Sequence, residues 1–391
     1  MKYCFDEYID RRAADAVKWA VGDGELPMWV ADMDFRCAPC ITDALQRRLD
    51  HGIFGYSDIP DEWREAYVRW WKERHGFEMN KEWLIFCTGV VPAISSAVRK
   101  LTDPNENVVV MTPVYNIFFN SIVNNGCRVL ESPLVYDGEN YSADLADLEK
   151  KLADPQTSLM ILCNPQNPVG KIWDRETLAA VGNLAKKYNV TVISDEIHCD
   201  ITAPGKGYVP FASVSEECRS VSVTCIAPTK AFNIAGLQTA AVCVPDGFLR
   251  HKIWRALNTD EVAEPNAFAV TAAVAAFNGG GEWLDAMRKY VFENRRAVED
   301  FISNEIEGLK AVKGDATYLV WIDANELLVS HPADTAFAEY VRSESGLFLS
   351  KGESYGSSGT GFLRMNVACP RKNVEEGLRR LKAAADKLRT K

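Results

Sequence analysis

The stretch SLMILCNPQNPVG (residues 158–170) joins a continuous apolar run to a turn rich in asparagine and proline. The segment behind it, DRETLAAVGNLAKKY, predicts a helix with Asp174 as its N-cap. Further apolar runs follow at VTVISDE, SVSVTCIAP and TAAVCVP, and WLIFCTG and NVVVMTP precede it. Continuous apolar strands that alternate with helices are typical of a mostly parallel sheet flanked by helices, so the sequence predicts an α/β fold.

The segment NGGGEW (residues 278–283) interrupts this alternation. After it, a long helical stretch precedes TYLVWID, GLFLS and GFLRMNVA, and a helix closes the chain, which indicates an α+β unit. We therefore predict a large domain over 45–280 and a smaller domain that combines 281–391 with an N-terminal arm, 1–44.

Composition and short motifs disfavour several classes of protein. The chain has 391 residues and a formal net charge of −10, which disfavours nucleic acid as a partner. The N-terminal residues lack the apolar core of a secretory signal, and no run of 18 apolar residues predicts a membrane span. The 11 cysteines lie mainly in apolar strands, which favours a reducing, cytoplasmic location. The motif CAPC (37–40) lacks a second pair, so we expect no metal site.

Polar residues follow several predicted strands at the same edge of the sheet. They are Thr88 and Gly89, Thr112 to Tyr115, the NPQNPVG turn, Asp195 to His198, and Lys230 in APTKAFN. In open α/β sheets, ligands bind beyond the carboxyl ends of the strands. A lone residue of this kind is usually a cap or a solvated side chain, so the prediction depends on their convergence.

These residue types suit one cofactor. A lysine amine can form a Schiff base with an aldehyde, and a carboxylate can keep a pyridine nitrogen protonated. An aromatic ring can stack on the pyridine, and a helix N-terminus that follows a glycine can bind a phosphate. An aldehyde, a pyridine and a phosphate together describe pyridoxal 5′-phosphate.

Four segments resemble the fold-type I pyridoxal-phosphate enzymes, the aspartate aminotransferase superfamily of class I/II. They are NPQNPVG, SDEIH, PTKAFNIAGLQ and GFLRMNVACP. More narrowly, WVADMDF, FGYSD and DEIHCD resemble the cystathionine β-lyase, or C–S lyase, branch.

The resemblance implies a role for each matching residue at the cofactor. It implies Lys230 as the Schiff-base lysine, Asp195 as the partner of the pyridine nitrogen and Tyr115 as the stacking aromatic. The remaining cofactor contacts that it implies are Asn167 and His198 at the ring oxygen, and Gly89, Val90, Val91 and Thr229 at the phosphate. Ala227 and Gln238 depart from the family pattern, in which serine and arginine commonly bind the phosphate at these positions.

The resemblance also implies substrate contacts and a second subunit. Arg364 matches the arginine that takes the substrate α-carboxylate, and Asn167 and Trp29 are further candidates for substrate binding. Tyr56 matches a tyrosine that reaches the phosphate from the neighbouring subunit, which implies a homodimer with shared active sites. Asp32 and Asp34 are interpreted as structural, and Tyr355 as a loop anchor.

The function that the resemblance implies is α,β-elimination of L-cystathionine or S-substituted L-cysteines to pyruvate, ammonia and a thiol. An aminotransferase uses the same first steps and is the alternative. A non-catalytic pyridoxal-phosphate-binding regulatory protein is a third reading, disfavoured by the intact set of Lys230, Asp195 and Arg364. The preferred sulfur substrate is left open.

Overall fold

A computed structural model describes residues 3–390 of the chain. Within that range it contains thirteen α-helices, which are α1 Pro39–His51, α2 Asp61–His75, α3 Val90–Leu101, α4 Ile117–Val123, α5 Leu145–Leu152, α6 Arg175–Lys187, α7 Glu216–Val221, α8 Gly247–Thr259, α9 Ala269–Gly279, α10 Gly281–Glu305, α11 Asn325–Ser330, α12 Phe337–Ser345 and α13 Arg371–Arg389. It also contains fifteen strands, which are β1 Leu26–Pro27, β2 Leu84–Cys87, β3 Asn107–Val110, β4 Arg128–Glu131, β5 Val135–Tyr136, β6 Tyr141–Ser142, β7 Thr157–Cys163, β8 Thr191–Asp195, β9 Ser222–Ile226, β10 Ala240–Cys243, β11 Lys310–Ala311, β12 Leu319–Asp323, β13 Leu347–Phe348, β14 Ser350–Lys351 and β15 Phe362–Asn366.

The central sheet has seven strands in the order β2-β10-β9-β8-β7-β3-β4. Its neighbours pair in parallel from β9 to β4, and β10 runs antiparallel to both β9 and β2. Nearly every residue of β7, β8 and β9 is buried, as expected for strands covered on both faces. The prediction of an α/β fold with a mostly parallel sheet is therefore confirmed.

Apolar packing on the two faces of this sheet explains why the apolar runs are continuous rather than alternating. One cluster of buried side chains packs α3, α4 and α8 onto the sheet, and another packs α5 and α6 onto it. The predicted cap of α6 is present, because the Asp174 carboxylate accepts the Thr177 N–H at 2.6 Å.

A second sheet, of four antiparallel strands in the order β11-β12-β15-β14, is built from the C-terminal part of the chain. The N-terminal segment joins this part, because β1 pairs in parallel with β13. The proposed domain boundaries at 45 and 280 remain a prediction. No helix within residues 3–390 combines the length and the apolar composition needed to cross a lipid bilayer.

Candidate functional site

The carboxyl ends of the parallel strands surround a cavity of about 180 Å³, hereafter the strand-end cavity. Its wall contains nine of the ten residues that the sequence predicts to contact a cofactor, namely Gly89, Val90, Val91, Tyr115, Asn167, Asp195, His198, Thr229 and Lys230. These residues come from five separate segments of the chain, and the sheet brings them together because parallel strands end at one edge.

Asp195 is the last residue of β8, in register with Cys163 at the end of β7. Its side chain is buried, and Oδ1 accepts the Ile197 N–H at 3.1 Å. Burial raises the pKa of Asp195 to about 7, although the Ile197 N–H and the nearby Lys230 act in the opposite direction. A carboxyl group held in this way can pair with a cationic ring nitrogen.

Lys230 lies four residues beyond β9 and projects into the cavity. Its Nζ donates a hydrogen bond to the Ala31 carbonyl oxygen at 2.5 Å. Burial lowers the pKa of Lys230 to about 8; Arg364 adds to this effect, whereas Asp32 and Asp195 oppose it. The amine can therefore be neutral, and so nucleophilic or basic, near physiological pH.

His198 and Tyr115 present rings to the same cavity. Burial, with the charges of Lys230 and Arg364, lowers the pKa of His198 to about 3, so this imidazole is neutral. His198 Nδ1 is buried and has no hydrogen-bond partner within residues 3–390. Burial raises the pKa of Tyr115 to about 12, so its hydroxyl remains protonated. Both rings are neutral groups that can contact a flat ligand.

The N-terminus of α3, which follows Gly89, lies at the wall of the strand-end cavity. Gly89 is extended, with φ −178°, and Val90 is the first residue of this twelve-residue helix. The first N–H groups of a helix have no partner within it, and their dipoles favour an anion. The Thr229 hydroxyl belongs to the same cavity wall. This end of the cavity therefore suits a phosphate.

Arg364 lies in β15, opposite Trp321 and Ser350. Its Nη1 donates to Asn167 Oδ1 at 3.2 Å and its Nη2 donates to the Trp29 carbonyl at 2.9 Å. Its Nε is buried and has no hydrogen-bond partner among the residues that the structure describes. The guanidinium is thus held in place from two sides and keeps donor capacity for a carboxylate.

A second cavity of about 520 Å³, hereafter the outer cavity, adjoins the first. The two cavities share Ala31, Tyr115 and Lys230, and Arg364 and Trp29 line the outer one. The predicted substrate residues Arg364 and Trp29 therefore lie beside the predicted cofactor residues, and Asn167 connects the two groups through its bond to Arg364.

Tyr56 is the one predicted cofactor residue that does not line the strand-end cavity. It lies between α1 and α2, its side chain is fully exposed, and it lines neither cavity. A single chain does not test the prediction that this residue acts on a neighbouring subunit.

Several residues of the site carried no signal in the sequence. The Ala31 carbonyl accepts the Tyr318 hydroxyl at 3.0 Å as well as Lys230. Tyr355, interpreted from sequence as a loop anchor, lines the outer cavity, with Arg364 Cζ 4.9 Å from its ring centroid. Phe348 and Arg342 also line this cavity. No pattern in the sequence singles out Arg342 as a residue of this cavity.

The two aspartates near Ala31 hold the N-terminal arm in place. Asp34 is buried and pairs with Lys18 and Arg11, each at 2.7 Å. Asp32 pairs with Arg11 at 2.6 Å. These ion pairs fix the segment that presents the Ala31 carbonyl to Lys230, in agreement with a structural interpretation of both aspartates.

The family model described as aminotransferase class I and II matches residues 26–381. This chain belongs to that family. Among members with a curated description, it is 43% identical to the cystathionine β-lyase PatB of Bacillus subtilis, over 97% of this chain and 99% of that protein.

Two solved structures share the fold of this chain closely. The pyridoxal-phosphate-bound putative aminotransferase of Clostridium difficile has a TM-score of 0.94 and 38% identity, covering 98% of this chain and 100% of that one. The pyridoxal-phosphate-bound C–S lyase of Staphylococcus hominis has a TM-score of 0.92 and 33% identity, covering 98% of this chain and 99% of that one. The predicted family resemblance is therefore confirmed.

Proposed function

We propose that the protein is a pyridoxal-phosphate-dependent carbon–sulfur lyase that converts L-cystathionine or other S-substituted L-cysteines to pyruvate, ammonia and a thiol. The observation that carries this proposal is the shared wall of the two cavities. Lys230 lines both cavities, the buried Asp195 carboxyl group lines the strand-end cavity, and the Arg364 guanidinium lines the outer cavity. The lyase names of the Bacillus subtilis relative and of the Staphylococcus hominis structure support the same reading.

The residues of the strand-end cavity fit pyridoxal phosphate. The buried His198 Nδ1 lacks a partner among the described residues, as expected of a site built around a polar ligand. Asp195 would pair with the ring nitrogen, Tyr115 would cover the ring, and Asn167 and His198 would contact the ring oxygen. The N–H groups at Gly89, Val90 and Val91, with the Thr229 hydroxyl, would hold the phosphate, and Lys230 would bond the aldehyde carbon.

When bound, this cofactor supplies an electron sink for negative charge at the substrate α-carbon. The substrate amine takes the place of Lys230 at the aldehyde carbon, and the freed Lys230 is the base that removes the α-proton. Its lowered pKa of about 8 makes an unprotonated amine available near neutral pH. Arg364 binds the α-carboxylate and orients the α-carbon toward Lys230. The Ala31 carbonyl, at 2.5 Å, accepts a hydrogen bond from the Lys230 amine and keeps it beside the substrate.

The direction of the reaction depends on the group at the substrate β-carbon. A thiol has a pKa of about 8.5, so a thiolate leaves without prior protonation by a strong acid. The outer cavity extends beyond Lys230 and Arg364 and provides room for the departing thiol.

The experiment that tests this function supplies L-cystathionine without any keto acid and follows the products. A lyase releases pyruvate, ammonia and thiol in equal amounts, and Lys230→Ala abolishes all three. The alternative, an aminotransferase, predicts instead that product forms only after a keto acid is added. If transfer to the keto acid outpaces thiol release on every cysteine thioether, the lyase proposal is wrong.

We also propose a homodimer in which Tyr56 reaches the phosphate of the neighbouring subunit. Ile53, Phe54 and Tyr56 are exposed on the segment between α1 and α2, which supports a partner on this face.

A cytoplasmic location is supported by the 11 cysteines, which are all free thiols. The division into a 45–280 domain and a domain formed by 1–44 and 281–391 belongs to the same proposal.

A further inference from the structure

Two aromatic side chains and an arginine line part of the outer cavity. The Trp29 and Phe348 rings stack with centroids 4.7 Å apart and an interplanar angle of 16°. Arg342 Cζ lies 3.8 Å from the Phe348 ring centroid. These three side chains, hereafter the stacked wall, all line the outer cavity. They present aromatic and guanidinium surface to whatever occupies the cavity.

Glu25 holds Arg342, one of the three side chains of the stacked wall, in place. Its carboxylate accepts two hydrogen bonds from Arg342, at 2.6 Å from Nε and 2.8 Å from Nη2. The pairing of β1 with β13 sets this geometry, because Pro27 is in register with Phe348 and Glu25 immediately precedes β1. The Arg342 hydrogen bond lowers the pKa of Glu25 to about 2, so the carboxylate is charged at neutral pH and neutralises Arg342.

The other charged side chains that line the outer cavity also have a partner or an assigned role. Lys351 pairs with Glu339 at 3.2 Å, and both line the cavity. Lys230 and Arg364 are assigned to the α-carbon and the α-carboxylate. A negatively charged group on the substrate sulfur would therefore have to displace Glu25 or Glu339 from a cation that is already paired.

We infer that the outer cavity binds the S-substituent of the substrate, that the stacked wall selects a flat or bulky apolar group, and that Glu25 prevents Arg342 from accepting a carboxylate. This inference rests on the proposed lyase function and names the substrate class of the same site. The favoured substrates are cysteine thioethers with aromatic or large apolar substituents, and L-cystathionine, whose leaving half is a zwitterion, is cleaved less efficiently than these.

Four substrates test the inference in the holoenzyme: S-methyl-, S-benzyl- and S-carboxymethyl-L-cysteine, and L-cystathionine. For the unmodified enzyme, kcat/KM for thiol release is expected to be highest with the S-benzyl compound. Glu25→Gln keeps a hydrogen-bond acceptor for Arg342 but removes the neutralising charge. We expect it to raise the S-carboxymethyl to S-methyl ratio of kcat/KM about two- to fivefold, the effect of one partly exposed ion pair.

The matched control is Glu7→Gln, which removes the charge from an exposed bidentate pair with Arg36 outside both cavities. It should leave all four kcat/KM values unchanged. The double variant Glu25→Gln/Arg342→Gln should cancel the gain, because no uncompensated guanidinium remains. Phe348→Ala should lower the S-benzyl to S-methyl ratio, and Phe348→Leu should lower it less.

A direct binding measurement in an inactive variant separates the effect of Glu25 on substrate binding from any effect on the catalytic steps. Calorimetric titration of S-carboxymethyl-L-cysteine into Lys230→Ala should show tighter binding when Glu25→Gln is added. An unchanged ratio in Glu25→Gln together with unchanged binding would overturn the inference, as would a higher kcat/KM for L-cystathionine than for S-benzyl-L-cysteine. Both results leave the lyase function standing. Failure to release thiol from any of the four substrates would instead reject the proposed function itself.

Discussion

The Nζ atom of Lys230 lies 2.5 Å from the backbone carbonyl oxygen of Ala31, 199 residues away in the chain. This contact joins the loop after β9 to the N-terminal arm. Asn233 reinforces it, because its side chain accepts the Met33 N–H and donates to the Met33 and Phe35 carbonyls. The arm is therefore part of the site, and it holds the amine that the proposed chemistry needs.

The first prediction concerns the titration of Lys230. Burial lowers its pKa to about 8, so in the cofactor-free protein its reaction with an amine-selective reagent should reach half its maximum near pH 8. Peptide mapping of the labelled protein over a pH series measures this value. The exposed Lys72 provides an internal reference that should titrate at higher pH. A midpoint for Lys230 near 10.5 would contradict the described environment.

The second prediction concerns Asp195 and stability. Its pKa is raised from 3.8 to about 7, so the folded protein retains a proton that the unfolded chain loses between these pH values. Its contribution to stability is complete below pH 3.8 and is lost as the pH rises through about 7. Asn has no proton to lose, so Asp195→Asn should abolish this pH dependence and be more stable than the unmodified protein above pH 7, by on the order of 4 kcal/mol.

The measurement is the free energy of unfolding of the cofactor-free protein and of the variant over the same pH range. Glu196 titrates in the same direction and His198 in the opposite one, so only the difference between the two proteins reports on Asp195. If the free energies of unfolding of the two proteins changed in parallel with pH, the raised pKa of Asp195 would be contradicted. In the cofactor-loaded protein, Asp195→Asn should lower turnover by about 10²–10³, because a charge contact with the ring nitrogen is lost.

The third prediction concerns Arg364. Asn167 and the Trp29 carbonyl hold its guanidinium, and a lysine cannot reproduce a planar fork of donors. Arg364→Lys should raise KM for S-substituted cysteines and lower kcat together. Steady-state kinetics measure both values, with Arg99→Lys, whose side chain is half exposed and lies outside both cavities, as the control. An unchanged KM would remove Arg364 from substrate binding.

The fourth prediction concerns the neighbouring subunit. If Tyr56 acts across a dimer, an inactive Tyr56→Ala protein mixed with an inactive Lys230→Ala protein should recover activity, because each heterodimer contains one intact site. Subunit exchange is checked with a mass-tagged variant. Full exchange without recovered activity would show that Tyr56 does not act across the interface.

The sheet and the strand-end cavity were predictable because their signals are local. Strands buried on both faces require continuous apolar runs, and the residues that follow them converge by topology alone. One boundary was less accurate. The sequence after NVVVMTP predicts a helix near residues 115–125, whereas α4 covers Ile117–Val123. Val114, three residues before α4, donates its N–H to the Tyr355 carbonyl at 2.8 Å, a contact with a distant segment that no local pattern indicates.

The rest of the site depends on contacts that leave no local pattern. The Ala31 carbonyl is a backbone group, so no side-chain type marks its role. Glu25 and Arg342 are 317 residues apart, and their pairing arises only when β1 joins β13. Composition and spacing cannot reveal such a pair, so nothing in the sequence indicates that Arg342 lines the outer cavity.

Borohydride reduction of the purified protein, followed by peptide mapping, tests the assignment of Lys230 itself. We expect one pyridoxal phosphate per chain to become fixed to Lys230, with loss of the visible absorbance and of thiol release from S-substituted cysteines. Lys230→Ala treated in the same way should carry no adduct. A fixed cofactor on a different lysine, or none on the unmodified chain, would contradict the assignment of this site.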